Sequence, residues 1–95
     1  MHIAILRVHL RLPSRTLKEK RTIVRSVTER VRNRFNAAVA EAGELDQPGF
    51  AMIAAACISN DAGHAESQAQ SIAGAIEQWR LDAEILDVSI EQLVV

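Results

Sequence analysis

Lys18, Arg21, Arg25 and Arg32 recur at spacings that a helix gathers into a patch: at 100° per residue they fall within about 60° of one another. Such a patch suits the phosphate backbone of a nucleic acid, because each neutralised phosphate releases counterions and makes affinity depend on salt. Arg7, Arg11 and Arg15 extend the field towards the start of that helix. The same residues also read as a solvated helix face, with Glu29 four residues after Arg25 for intrahelical support. Lys20 stands apart, close in angle to Val27 and Val31 and so inside an apolar stripe. There it is either a snorkelling stem whose ammonium reaches water or a carboxylate, or an anion ligand near the first helical turn, where the helix dipole favours negative charge. The expected nucleic-acid site is thus Arg15, Lys18, Lys20, Arg21, Arg25 and Arg32.

Other reactive side chains point to no catalytic residue. Cys57 is the lone cysteine, so no internal disulfide can form, and its run Met52-Ile53-Ala54-Ala55-Ala56-Cys57-Ile58 offers no polarising neighbour for a nucleophile. His2, His9 and His64 lack metal-ligand spacing with one another or with Cys57. No metal and no cofactor is expected.

The 95 residues make one domain, 1–95, with 48% apolar and 24% charged residues, a composition that folds. Only Phe35, Phe50 and Trp79 are aromatic, so the core must be aliphatic and binding by base stacking has little to work with. The net charge of −1 hides a split. Residues 1–36 hold ten bases against two acids, and residues 37–95 hold one base, Arg80, against ten acids. Such asymmetry points to polyanion binding or to complementary association, unless the fold interleaves the two regions. Arg7 and Arg11 interrupt any signal-peptide core, and no apolar run approaches the length of a membrane span, so a cytoplasmic chain without membrane contact is expected.

The elements that must position these residues follow from periodicity. Residues 2–12 alternate, with Ala4, Leu6, Val8, Leu10 and Leu12 on one face and Ile3, Ile5, Arg7, His9 and Arg11 on the other, which predicts a strand. Thr16-Leu17-Lys18-Glu19 fits a capping box at the start of a helix over 16–35, whose apolar stripe is Leu17, Val24, Val27, Val31 and Phe35. Residues 37–42 predict a short strand, and Gly43 through Gly49 a turn. The apolar run 50–59 predicts a central strand buried on both faces. Asn60 or Asp61 caps a second helix over 62–80, with Ala65, Ala69, Ile72, Ile76 and Trp79 inward. A last strand covers 84–92, where Leu86, Val88 and Ile90 alternate with Ile85, Asp87, Ser89 and Glu91.

The order strand, helix, strand, strand, helix, strand predicts an α+β, ferredoxin-like βαββαβ domain: a four-stranded antiparallel sheet with both helices on one face. Right-handed crossovers are expected to set the first and third strands centrally as parallel neighbours, with the fourth beside the first. The helix-free face then shows Ile3, Ile5, Arg7, His9 and Arg11 beside Ile85, Asp87, Ser89 and Glu91, where opposite charges can pair.

The segment Ser14-Arg15-Thr16-Leu17-Lys18-Glu19-Lys20-Arg21 resembles the Ser-Leu-Lys-Glu-Lys-Arg segment of the bacterial YlxP-like proteins, a family of unknown function. Arg34-Phe35-Asn36, Val39-Ala40-Glu41 and Ser59-Asn60-Asp61 fall where that family has similar residues. The resemblance runs nearly end to end and implies a ferredoxin-like fold. The family's genes often lie near those for translation and ribosome maturation, which implies an RNA-related setting. The chain departs from the pattern before its third strand, where Gln47-Pro48 stands in place of a Leu-Trp pair.

Two sharper readings fail on chemistry. An RNA-recognition motif stacks bases on aromatics of its central strands, and only Phe50 is in place to do so. An acylphosphatase resembles a phosphate cradle between first strand and first helix, but Leu12-Pro13-Ser14-Arg15-Thr16 has an arginine and no glycine to let backbone amides wrap a phosphate. The expected function is that of a non-enzymatic binding protein, associated with RNA or a ribosomal particle through its basic first helix. The alternative is a homo-oligomeric interaction module without nucleic acid, the exposed sheet face serving as interface; an anion-binding or acylphosphatase-like enzyme ranks last. A homodimer is expected, with the open face or an edge strand buried.

Overall fold

The computed structural model describes residues 1–79 and 82–95. The elements are β1 (His2–Arg11), α1 (Leu17–Arg34), β2 (Ala38–Gly43), β3 (Phe50–Ser59), α2 (Ala62–Gln78) and β4 (Glu84–Val94). The expected end of the second helix at residue 80 lies outside the described residues. The sheet order is β2-β3-β1-β4, and each neighbouring pair is antiparallel. The fold is therefore the ferredoxin-like α+β arrangement.

One detail of the expected topology is corrected. β1 and β3 are central, but they run antiparallel, from His2 opposite Ser59 to Arg11 opposite Phe50. Each helical crossover skips one position in the sheet. α1 carries the chain from β1 to β2 with β3 between them, so the strands that a crossover makes parallel are not neighbours.

Local signals set the helix ends. Thr16 Oγ1 accepts the Glu19 backbone N–H at 3.1 Å, and its hydroxyl donates to Glu19 Oε1 at 3.2 Å. The capping box thus closes side chain to side chain, with the carboxylate taking the hydroxyl proton in place of the Thr16 backbone N–H. Asp61 caps α2 by accepting the His64 N–H at 3.3 Å.

The core is aliphatic. Ala4, Leu6, Val8, Leu10 and Leu12 from β1 and its exit, with Ala51, Ile53, Ala55 and Cys57 from β3, lie under Val24, Val27 and Val31 of α1 and Ala65, Ala69, Ile72 and Ile76 of α2. Trp79 and Phe35 are half-buried against the same cluster. β3 is not buried on both faces as its sequence suggests. Ile58 is 61% exposed, and Met52, Ala54 and Ala56 on the same face are only half-covered. Both crossovers put their helices on one side of the sheet, so the second apolar face of β3 has no intramolecular cover.

β4 departs from simple alternation. Its pairing with β1 shifts between His9, opposite Asp87, and Leu10, opposite Ile85, leaving Leu86 as the extra residue of a bulge. Ile85 thereby turns to the helix side and packs on the core with Ile90. The open face instead gains Asp87, Ser89 and Glu91 as expected, with Leu93 opposite Ile3 and Glu84 opposite Arg11.

Candidate nucleic-acid interface

α1 presents its valines to the sheet and its bases to solvent. Arg15, Lys18, Arg21, Arg25 and Arg32 are all exposed. The ion pairs among the described residues are Arg7–Glu91, His9–Glu44, Arg11–Glu84 and Lys20–Glu41. Among the described residues, therefore, Arg15, Lys18, Arg21 and Arg25 have no carboxylate partner, and Glu29 does not neutralise Arg25. Arg25 also borders a shallow open cleft of about 320 Å³, shared with Thr22, Ser26, Glu29, Arg30 and Asn33. Arg32 is only in part available, because its Nη2 donates to the Val39 carbonyl at 2.9 Å and ties the end of α1 to β2.

Lys20 is corrected as a site residue. Its side chain is 2% exposed, with Nζ 2.8 Å from Glu41 Oε2, and it donates to the Glu44 carbonyl at 2.6 Å. The Glu41 contact has ion-pair distance but lacks hydrogen-bond angles, since Glu41 Oε2 is otherwise buried without a hydrogen-bond donor. Of the two Lys20 readings, the stem reaching a carboxylate is the one the geometry matches. The ammonium grips the loop between β2 and β3 at Glu44, whose φ of 57° is in the left-handed region, a conformation that a non-glycine residue holds only under outside constraint.

Three further contacts hold the same loop. His9 Nε2 lies 2.6 Å from Glu44 Oε2, Ser14 Oγ donates to the Pro48 carbonyl at 2.6 Å, and Leu12 N–H donates to the Gly49 carbonyl at 2.8 Å. The Leu12–Thr16 segment is thus occupied with holding Pro48-Gly49 and capping α1. Sequence reasoning missed this network. The available signal was Glu41, a lone acid in an alanine-rich strand, placed two residues after Val39 and so on the core-facing side.

Arg7 and Arg11 do not extend the α1 field. They lie on the opposite face of the sheet, Arg7 3.0 Å from Glu91 and Arg11 3.5 Å from Glu84. Arg11 also lies over the Phe50 ring at 5.7 Å. The basic surface reduces to Arg15, Lys18, Arg21 and Arg25, with Arg32 at its rim. Burial raises the Cys57 thiol above its ordinary pKa of 9.0, which keeps it protonated on the helix side of β3. Among the described residues, no group of three or more His, Cys, Asp or Glu could hold a metal ion, and no helix is long and apolar enough to cross a membrane.

The architecture is that of a small ferredoxin-like domain carrying a charged helix face. Residues 3–90 match the family described as "Protein of unknown function (DUF503)", and the chain belongs to that family. No curated protein matches it. Among solved structures, the chain is similar to a candidate antibiotic biosynthesis monooxygenase from Deinococcus radiodurans, at 14% identity and a TM-score of 0.47, covering 100% of this chain and 92% of that one. That likeness is too low to carry a statement about activity.

Proposed function

We propose that this protein is a non-enzymatic RNA-binding protein, associated with structured or ribosomal RNA through the outward face of α1. The carrying observation is the exposure of Arg15, Lys18, Arg21 and Arg25 on one surface with no carboxylate partner among the described residues. Glu29 stands on the same helix face without pairing to any of them, so the bases outweigh it and leave a net positive field for a polyanion. The resemblance of Ser14–Arg21 to the YlxP-like proteins, whose genes lie near those for translation, supports the same reading. Recognition runs through phosphates, because the aromatic platforms for base stacking are missing: Phe50 is engaged by Arg11 and His9, and Phe35 by Arg34.

Titration of a fluorescent structured RNA at several salt concentrations tests it. Changing Lys18, Arg21 and Arg25 together to alanine should leave the fold intact, since alanine is the best helix former and these positions face solvent. The slope of log affinity against log salt should fall by up to about three units, taking roughly 0.9 per lost phosphate contact as a guide. Glu66, Glu77 and Asp82 changed to their amides form the control and should not weaken binding. Wild-type protein that ignores RNA at low salt overturns the proposal; an unchanged slope in the triple variant overturns the assignment to α1.

A further inference from the structure

Building on the RNA-binding reading of α1, we infer that the RNA it takes is a double helix presented by its minor groove, with ribose hydroxyls over a central row of short polar side chains and phosphates at the arginines on either side. At 100° per residue, Glu29, Thr22, Asn33 and Ser26 fall within about 60° of one another. They point away from the buried Val24, Val27 and Val31. Arg21 and Arg25 stand to one side of this row, and Arg30 stands on the other, about 140° around the helix from Arg25. The crest of α1 is therefore low and its flanks are long. The result is the shallow open cleft of about 320 Å³, bordered by Arg25 and Arg30 and lined by the four residues of the row.

The row is free to bind. The side-chain hydrogen bonds of α1 among the described residues involve Glu19, Lys20, Thr22, Thr28 and Arg32. Ser26, Glu29 and Asn33 keep their donors and acceptors for a ligand. Arg30 is held in place by the end of α2, its guanidinium lying over the Trp79 ring at 5.7 Å. It has no carboxylate partner among the described residues.

Glu29 does not fit a footprint of phosphates alone. Carboxylate and phosphate are both acceptors, so an acid in the middle of such a footprint only repels. A ribose 2′-hydroxyl donates as well as accepts. It can give its proton to Glu29, while Ser26 and Asn33 serve the hydroxyls beside it. Shape then favours A-form RNA over DNA. A helix with its side chains is about 10–12 Å across, and the B-form minor groove, about 6 Å wide, is too narrow to admit it. The B-form major groove is wide enough but about 8.5 Å deep, and a helix that reads it needs long side chains at its crest, where α1 is hollow. The A-form minor groove is wide and shallow and displays its 2′-hydroxyls. Single strands are held by stacking on aromatic platforms, and no aromatic residue lines the cleft.

Fluorescence titration of the full chain at one salt concentration tests the inference with probes of one sequence, about 20 base pairs or nucleotides long: an RNA duplex, its 2′-fluoro counterpart, a DNA duplex and single-stranded RNA. The RNA duplex should bind at least about tenfold tighter than the DNA duplex and the single strand. It should lose about tenfold on 2′-fluoro substitution, which keeps the A form and removes the hydroxyl donor. Glu29→Ala should weaken binding of the RNA duplex about fivefold and tighten that of the DNA duplex, since it removes an acceptor from one and a repelling charge from the other. Ser26→Ala with Asn33→Ala should weaken the RNA duplex about tenfold and leave the DNA duplex unmoved. Each change favours the helix, so the fold is kept. Equal affinity for RNA and DNA duplexes, preference for the single strand, a 2′-fluoro duplex that binds as the RNA does, or tighter RNA binding by Glu29→Ala overturns the inference. In each of those cases the wider reading of α1 still stands if the Lys18, Arg21 and Arg25 triple variant loses RNA binding. A wild type silent towards every probe at low salt overturns that wider reading as well.

Discussion

The two faces of β3 have nearly the same chemistry and opposite fates. Ala51, Ile53, Ala55 and Cys57 are sealed beneath the helices, whereas Met52, Ala54, Ala56 and Ile58 look outward with no helix over them. Composition does not separate them. What does is handedness: both crossovers fold back on the same side of the sheet, and one side gets all the cover. Charge follows the same division. The buried lysine under the helices, Lys20, is enclosed beside a mostly buried carboxylate, while the arginines on the open side pair in solvent, with Arg7 and Glu91 each about half exposed. The covered side should therefore be sensitive to every change and the open side tolerant in the monomer.

The largest effect is expected at Lys20 and Glu41. Glu41→Leu leaves a buried ammonium with only the Glu44 carbonyl, and should cost about 3–5 kcal/mol in urea unfolding. Lys20→Met in the same chain should recover most of that loss, because the pair is then replaced by apolar packing. A Glu41→Leu variant as stable as wild type would show that the ammonium finds water and that this side is less sealed than it looks.

Next comes the direct comparison within β3. Ile53→Ala should destabilise by about 2–5 kcal/mol, since the residue is fully enclosed. Ile58→Ala, only five positions along, should stay within about 0.5 kcal/mol in dilute solution where copies are apart. Equal losses at the two positions in the monomer would break the comparison.

A smaller effect should appear with alkali. Burial raises the Cys57 thiol above its ordinary 9.0, so the unfolded chain releases this proton at lower pH than the folded one. The linked stability is complete below about pH 8, and is lost as pH rises through the unfolded thiol's range. Thermal melts of wild type should fall more steeply between about pH 8 and 10 than those of Cys57→Ala; parallel curves would remove the thiol from the account.

The smallest effect is expected on the open face. A double-mutant cycle of Arg7→Ala and Glu91→Ala should give a coupling of about 0.2–1 kcal/mol that shrinks with added salt, as both side chains are well exposed. A salt-insensitive coupling above that range in the monomer would mean that the open face is drier than it looks. If the coupling instead grows with protein concentration, the pair is being dried by a second copy.

Much was already determined by the sequence alone. Period-two patterns marked β1 and β4, period-3.6 patterns α1 and α2, and an apolar run β3, with bounds within a residue or two among the described residues, because each pattern reflects a local geometry that does not depend on the rest of the chain. Thr16 and Asp61 announced the helix starts for the same reason. The outward bases of α1 were legible too, since angular position on a helix follows from spacing. What needed the tertiary structure was everything set by partners distant in sequence. Lys20 admitted both a snorkelling stem and an anion ligand from its spacing, and the choice between them rests on Glu41 and the Glu44 carbonyl, more than twenty residues away. The bulge at Leu86 moved Ile85 to the other face, because a one-residue register shift reverses every side chain beyond it. Arg7 and Arg11 left the basic field because the sheet stands between them and α1. The second apolar face of β3, read as buried from its residues, is open because burial depends on which layer the topology lays over a strand, and no residue in the strand encodes that.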